Sequence, residues 1–167
     1  MQKLFQGAGS LSQLVKAIAG EGNNQFFLIT GKHFLQEGGL RVLEGLNYVH
    51  YIKSGADVHD HEVEEVWKAY MDSNAKAVLA IGGGTVIDLA KMILWTSVQQ
   101  KKVLPVLAAA PTTTGSGSEA TQFAVLYESN KKRSISHPAL LPALVALDPE
   151  LVCSLSPYQA AVSGIDA

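Results

Sequence analysis

Three successive glycines, at positions 82–84, interrupt an apolar run and are followed by Thr85 and a helical pattern. A strand, a glycine turn and a helix in this order point free backbone N–H groups at an anion, and the helix dipole adds about half a positive charge there. A phosphate must approach this backbone closely, and a Cβ would obstruct it. We therefore predict phosphate binding at Gly83, Gly84 and Thr85, with Thr85 also capping the helix. The alternative is a tight turn without a ligand, for which three glycines are more than is required.

The stretch PTTTGSGSEAT, at positions 111–121, is the second candidate, and it again follows an apolar run. It carries five Ser or Thr hydroxyls and two glycines between Pro111 and Ser118. Ligands of open α/β sheets bind at the carboxyl ends of the strands, so both segments are predicted to face one crevice. A merely flexible loop is the alternative, and the embedded proline and the immediate return to an apolar run argue against it. Neither a P-loop nor GxGxxG is present.

Other reactive side chains give weaker signals. His59 and His61 are two residues apart and do not share a helix face, so we predict the solvated start of an acidic helix there rather than a metal site. The basic cluster 131–133 is interpreted as a solvated hairpin tip, from which one cation could reach a phosphate. Cys153 has no cationic neighbour and is predicted to be a plain buried or half-buried thiol.

The elements that must position these residues alternate along the chain. Apolar runs predict strands at 25–30, 48–52, 75–81, 103–110, 122–128 and 143–148. Helical spacing predicts helices at 11–18 behind Ser10 as N-cap, at 33–46, at 63–70 capped by Asp60, and at 85–98. Short strands alternating with helices predict an α/β fold, a parallel sheet with helices on both faces. We place this domain at 1–155, and a further helix begins at 156–167, with Ser156 as N-cap and Pro157 behind it.

Bulk composition excludes several functional classes. The chain has 167 residues, a net charge of −2 and a single cysteine. We therefore expect neither nucleic acid nor a membrane as a partner, and no intramolecular disulfide. The amino terminus lacks the apolar core of a secretory signal, and no apolar run approaches the roughly 18 residues of a membrane span. These features predict a soluble cytoplasmic protein.

Taken together, the motifs resemble those of the iron-containing (group III) alcohol dehydrogenases, a branch of the dehydroquinate-synthase-like fold. The matching stretches are GGGTVIDLAK, PTTTGSGSEAT, HPALLP with ALDPEL, and finally GIDA, in that order. The resemblance implies a Rossmann-like dinucleotide domain at 1–155, followed in the family by an all-helical metal-binding domain. We expect residues 156–167 to be the first turns of that second domain, and the rest of it to be absent from these 167 residues. It implies hydride transfer between NAD(P)(H) and a small alcohol or aldehyde. An isolated domain would expose the apolar face that this second domain covers, which favours homo-oligomers.

Individual site residues also follow from the resemblance. Gly83, Gly84, Thr85 and Asp88 match the loop that holds the cofactor's pyrophosphate. The loop toward the nicotinamide half is matched by Thr112, Thr113, Ser116 and Thr121. The cofactor-binding lysine is matched by Lys132, ten residues before Pro142.

Asp166 matches the family's first metal ligand, for Fe²⁺ or Zn²⁺. The resemblance implies three further histidine ligands, which the family's helical domain supplies, and we expect none of the three among these 167 residues. A lone carboxylate does not hold such an ion. We therefore expect the metal to bind only in a full-length enzyme, and these 167 residues to be inactive or nearly so.

Gly31 departs from the Thr-Asp-Lys pattern of many NAD-preferring members, since the sequence here reads TGK. An aspartate would repel a 2′-phosphate, whereas glycine leaves room for one, so NADP(H) is favoured over NAD(H). Alternative interpretations are a stand-alone nucleotide-binding or assembly module without catalysis, and a fragment of a polyol, sugar-phosphate or dehydroquinate-synthase relative.

Overall fold

The computed structural model describes residues 2–20, 25–36, 39–129, 131–153 and 155–166. Strands in these ranges are β1 (Lys3–Gln6), β2 (Phe26–Gly31), β3 (Tyr48–Lys53), β4 (Ala77–Gly82), β5 (Val106–Pro111), β6 (Phe123–Glu128), β7 (Lys131–Ser136) and β8 (Leu144–Leu147). The α-helices are α1 (Ser10–Gly20), α2 (Lys32–Gln36), α3 (Asp60–Ser73), α4 (Gly84–Gln99) and α5 (Pro157–Asp166). Short 3₁₀ helices lie at Gly39–Leu43, Ser118–Ala120, Pro138–Leu140 and Pro149–Leu151.

Six strands form one parallel sheet in the order β1-β8-β5-β4-β2-β3, which confirms the predicted Rossmann-like α/β class. After β2 the chain adds β3 on one side and then returns to add β4 on the other. The strand order therefore reverses between β2 and β4, and a crevice opens beyond the carboxyl ends of the strands at such a reversal.

Helices cover both faces of this sheet because side chains alternate along each strand. On β4, Val78 and Ala80 are buried in a core with α3 and α4, whereas Leu79 and Ile81 are buried in a second core with α1. The middle strands are therefore apolar on both sides, which explains their continuous hydrophobic runs.

Two stretches do not form the predicted elements. The run 122–128 was expected in the parallel sheet, but β6 pairs antiparallel with β7 in a separate two-stranded ribbon. The basic cluster begins β7 at the end of this antiparallel pair, where Lys131 lies opposite Glu128, and its three side chains are exposed, which agrees with the predicted solvated hairpin. The helix expected at 33–46 is replaced by α2 and the 3₁₀ helix Gly39–Leu43. A Cβ at Gly39 would lie 2.5 Å from the ring of Phe34, so the chain bends tightly where glycine disfavours helix.

Further corrections concern single residues. Cys153 is exposed, contrary to the predicted burial. His59, not Asp60, occupies the N-cap position of α3. The Ser10 hydroxyl is buried without a hydrogen-bond partner among the described residues, so it does not cap α1. The predicted cap at Ser156 is confirmed, because its Oγ accepts from the N–H of Gln159 at 3.3 Å.

Asp148, at the end of β8, caps the start of α1 instead of Ser10. One carboxylate oxygen accepts from the N–H of Leu11 at 3.0 Å, and the other accepts from the N–H of Glu150 at 3.1 Å. A negative charge at a helix N-terminus is favoured by the helix dipole. Asp148 thus ties the first helix of the chain to its last parallel strand.

Replacing Asp148 with alanine is expected to lower the free energy of unfolding by about 2 kcal/mol, because two N–H groups lose their acceptor. Denaturant unfolding followed by circular dichroism measures this, with the exposed Asp72→Ala in α3 as the matched control. Equal stability of the two variants would contradict a capping role.

No helix in the described ranges is long and apolar enough to cross a membrane.

Candidate functional site

A cleft of about 900 Å³ opens at the carboxyl ends of the parallel strands. It is lined by Gly31 at the end of β2, by residues of the β4–α4 turn and of the segment after β5, and by one face of α5. Six of the residues predicted from sequence lie in or against this cleft. Those contributing directly to its lining are Gly83, Thr85, Thr112, Thr113 and Ser116. The sixth, Gly84, packs directly beneath Ser116.

The turn after β4 presents unbonded N–H groups at the start of α4. Gly83 is the N-cap, and its carbonyl accepts from the N–H groups of Val86 and Ile87 at 3.0 and 3.3 Å. The N–H groups of Gly84 and Thr85 have no acceptor among the described residues. No side chain caps the helix, so the predicted capping by Thr85 is wrong. Two free donors thus stand at the positive end of a 16-residue helix, beside the cleft that Gly83 and Thr85 line.

Glycine is needed in this turn for two different reasons. A Cβ on Gly83 would contact only Thr113, at 3.4 Å, which is an ordinary van der Waals distance. Packing therefore does not require glycine at this position; glycine instead leaves the backbone accessible from the cleft. A Cβ on Gly84 would lie 2.7 Å from the Cβ of Ser116. The loop after β5 therefore rests on the glycine turn, and the N–H of Thr112 also donates to the carbonyl of Gly82 at 3.0 Å. The turn after β4 and the loop after β5 therefore contact each other and together form one side of the cleft.

Asp88 does not line the cleft among the described residues. One of its carboxylate oxygens accepts from the hydroxyl of Ser118, and the other accepts from the N–H of Val125 at 3.1 Å. Its contacts thus hold the loop after β5 and the start of the ribbon against α4.

Thr121 and Lys132 also lie outside the described lining of the cleft. Thr121 accepts from the Lys91 ammonium through its carbonyl, at 2.9 Å. Lys132 is exposed in β7, opposite Tyr127 of β6. Thr121 thus helps to hold the loop after β5, whereas Lys132 is an exposed residue of the ribbon.

Lys91, in α4, binds the end of the loop after β5, and the sequence did not predict this contact. It is fully buried one turn after Asp88, and its ammonium donates to the carbonyls of Thr121 and Phe123. Burial lowers the pKa of Lys91 to about 8, against the opposing effect of Asp88 and Glu119. The available signal was a lysine at a position where helical spacing demands an apolar residue. Lys91 of α4 thus holds the loop after β5, the same loop that packs against the N-terminus of α4.

Lys53 is a second buried cation, at the end of β3. Its ammonium lies 2.7 Å from the carboxylate of Glu62 and also donates to the carbonyls of Ser54 and Asp57. Although Lys53 lines the cleft, its charge is balanced by Glu62. It therefore stabilises the loop between β3 and α3 rather than offering a free charge to a ligand.

A metal site is not formed by the described part of the chain. Its His, Cys, Asp and Glu residues include no group of three that could hold an ion. His59 and His61 stack with ring centroids 5.6 Å apart and take part in no such group. The predicted ligand Asp166 ends α5, and its side chain lies outside the described residues. The donor set described here does not fit a bound iron or zinc ion.

Comparison with known proteins gives a consistent result. The family model for iron-containing alcohol dehydrogenase matches residues 1–149. The 1-propanol dehydrogenase PduQ of Salmonella typhimurium is 40% identical over 93 residues, covering 54% of this chain and 25% of that protein. PduQ of Citrobacter freundii is 32% identical over 172 residues, covering 98% and 45%.

Among solved structures, the sulfoacetaldehyde reductase of Bifidobacterium kashiwanohense matches with a TM-score of 0.88 and 24% identity, covering 99% of this chain and 49% of that one. At this identity the match speaks for the fold alone. The chain thus spans between a quarter and about half of the length of these three proteins.

Proposed function

This chain belongs to the iron-containing alcohol dehydrogenase family, and we propose on that basis that it binds a nicotinamide dinucleotide as the cofactor domain of an alcohol dehydrogenase or aldehyde reductase. The observation that supports the proposal most strongly is the pair of unbonded N–H groups of Gly84 and Thr85, beside the open Gly83. A cofactor pyrophosphate carries the charge and the acceptor oxygens that this turn is suited to bind.

Each part of the cleft has a separate task in this proposal. The N–H groups of Gly84 and Thr85 donate to the pyrophosphate, and Gly83 lets it approach. The hydroxyls of Thr112, Thr113 and Ser116 line the neighbouring wall and orient the cofactor toward its nicotinamide half. Asp88 and Thr121 act indirectly, by holding that wall in place. A role for Lys132 stays a prediction from the family resemblance.

The bound dinucleotide would supply the chemistry, by accepting or giving a hydride in the interconversion of a small alcohol and an aldehyde. The residues described here bind and orient it in a cleft of about 900 Å³, which is in the range of small-molecule sites. The sulfoacetaldehyde reductase with the same fold was solved in complex with NAD⁺, so this fold is able to hold a dinucleotide. Because no described group fits a metal ion, no catalytic step is assigned to one.

We further propose that NADP(H) is preferred to NAD(H). Gly31 ends β2 at the edge of the cleft, and it carries no carboxylate to repel a 2′-phosphate. We also propose that these 167 residues do not turn over substrate without a helical metal-binding partner domain.

Titration of the purified chain with NADPH and NADH, followed by nucleotide fluorescence, tests this function. We expect saturable binding of both nucleotides, tighter for NADPH, and no oxidation of NADPH by short aldehydes with added Fe²⁺ or Zn²⁺. The absence of saturable binding would refute the dinucleotide function. Metal-dependent turnover would refute only the predicted inactivity.

A further inference from the structure

The loop after β5 is attached to one face of α4 at three points. On the helix these points are Gly84, Asp88 and Lys91, and their respective partners in the loop are Ser116, Ser118 and Thr121. Positions 84, 88 and 91 share a helix face because they are four and three residues apart. The loop whose hydroxyls line the cleft therefore depends on α4 for its position.

Lys91 holds the far end of this loop. Its ammonium donates to the carbonyl of Thr121 at 2.9 Å, to the hydroxyl of Thr121 at 3.4 Å and to the carbonyl of Phe123 at 2.5 Å. An ammonium has three protons to donate, whereas a neutral amine has two. Hydrogen bonds from a charged donor are also stronger than those from a neutral one. Loss of the proton therefore removes one of these bonds and weakens the other two.

Two carboxylates act on the charge of this buried ammonium. Asp88 lies one turn earlier on α4, and Glu119 belongs to the 3₁₀ helix Ser118–Ala120. Among the described residues, neither forms an ion pair with Lys91. The ammonium is thus held by uncharged oxygen atoms, and no direct contact neutralises its charge.

The other described elements packed on α4 bring no further charge to Lys91. The strands β2, β4 and β5 carry no charged residue. In α3 every charged side chain is exposed except Glu62, which is paired with Lys53. The acid of β6, Glu128, is exposed and pairs with Arg133. His137, which precedes the 3₁₀ helix Pro138–Leu140, stacks on Trp95 near the other end of α4.

Lys91 changes its charge within the pH range in which the chain can be studied. Burial lowers the pKa of Lys91 from 10.5 to about 8, and the two carboxylates oppose this shift. Above that pH the folded chain has released a proton that the unfolded chain still binds, so this group makes the free energy of unfolding rise with pH up to 10.5. Deprotonation of Lys91 is therefore compatible with an intact fold.

We propose that Lys91 controls the affinity of the cleft through its proton: the ammonium holds the loop after β5 in position to bind the dinucleotide, and the neutral amine releases the end of this loop. This proposal rests on the dinucleotide function proposed above and deepens it, by adding a proton to the binding equilibrium. Lys91 is a positioning residue, since it contacts the loop and not the ligand. Because linkage is reciprocal, a bound dinucleotide also strengthens proton binding at Lys91.

The test measures NADH binding by calorimetry between about pH 7 and about pH 9.5, a range that spans the titration of Lys91. NADH is the probe because it lacks a 2′-phosphate, a group that itself titrates. The variants are Lys91→Arg and Lys91→Met. The controls are Lys68→Met, at an exposed position of α3, and Cys153→Ser, which removes the only thiol of the chain. Thermal unfolding at each pH verifies the fold.

We expect the dissociation constant of NADH to rise about fivefold across this range in the unaltered chain and in both controls. In Lys91→Arg it should stay constant, because a guanidinium keeps its charge throughout. Lys91→Met should bind weakly at every pH. Calorimetry near pH 8 in buffers of different ionisation enthalpy should show proton uptake on binding by the unaltered chain and none by the folded Lys91 variants.

A second measurement follows the loop without any ligand. The methyl resonances of Thr112, Thr113 and Thr121 should titrate together near pH 8 in the unaltered chain and stay constant in Lys91→Met. Thr30 is the reference, because its register partner Ile81 belongs to the core on the opposite face of the sheet from α4. Its methyl resonance should not change over this range.

These measurements separate the proposal from the function on which it rests. If NADH binds equally well across the range, or if a Lys91 variant retains the pH dependence, control by Lys91 is wrong and the dinucleotide function stands. If NADH does not bind at any pH while the threonine resonances titrate in a Lys91-dependent manner, proton control of the loop stands and the dinucleotide function is wrong. Threonine resonances that do not titrate would overturn proton control of the loop in either case.

Discussion

Gly83→Ala is expected to weaken binding of NADPH and NADH alike by about 30- to 100-fold while leaving the protein folded. The added Cβ makes an ordinary 3.4 Å contact with Thr113, so the turn itself is not strained. It does occupy the approach to the N–H groups of Gly84 and Thr85, and two charge-assisted hydrogen bonds to the pyrophosphate are lost or lengthened. Nucleotide fluorescence titration and thermal unfolding measure the two effects separately.

Two further alanine variants serve as controls for this result. Gly20→Ala, at the end of α1, has open space around its new Cβ and should bind both nucleotides normally. Gly84→Ala should lose binding and stability together, because its Cβ would lie 2.7 Å from that of Ser116. If Gly83→Ala binds the nucleotides as the unaltered chain does, the phosphate does not lie on this turn.

Asp88→Ala is expected to lower the free energy of unfolding by about 3 kcal/mol and to weaken nucleotide binding as a consequence. The variant leaves the hydroxyl of Ser118 and the N–H of Val125 without their acceptor. It also removes the carboxylate that most opposes the low pKa of the buried Lys91. The loop after β5 then loses its anchor on α4. Denaturant unfolding gives the stability, and a nucleotide titration of the same sample gives the affinity.

The exposed Asp72→Ala in α3 is the matched control and should change neither quantity. Asp88→Asn retains one acceptor oxygen, so it should lie between the alanine variant and the unaltered chain. A variant that loses affinity with unchanged stability would show that Asp88 contacts the cofactor directly, as the family resemblance implies, and would contradict a positioning role.

The sequence sufficed to predict the parallel sheet and the two loops at its carboxyl edge, because these features rest on local patterns. The apolar runs of β2, β4 and β5 are buried on both faces, which gives them an unmistakable composition. Gly83 and Thr85 stand in a strand–turn–helix order whose geometry follows from the backbone alone. The location of these two residues at the carboxyl edge of the sheet could therefore be predicted without knowledge of distant contacts.

Features that depend on contacts between distant segments could not be predicted in this way. Ser10 is a good N-cap residue by type, yet the cap of α1 comes from Asp148, 137 residues away from Leu11. Lys91 is bound by carbonyls 30 and 32 residues further along the chain, which no periodicity reveals. The run that became β6 has the composition of a sheet strand, and only its pairing with β7 removes it from the sheet.

The central claim, that a dinucleotide lies across the glycine turn, is tested most directly by mapping backbone amide resonances of the isotopically labelled chain during an NADPH titration. The account predicts saturable shifts for the amides of Gly83, Gly84 and Thr85. Those of Met71 and Asn74, at the opposite edge of the sheet, should not move. Shifts that do not saturate, or saturable shifts that spare all three residues of the turn, would contradict it.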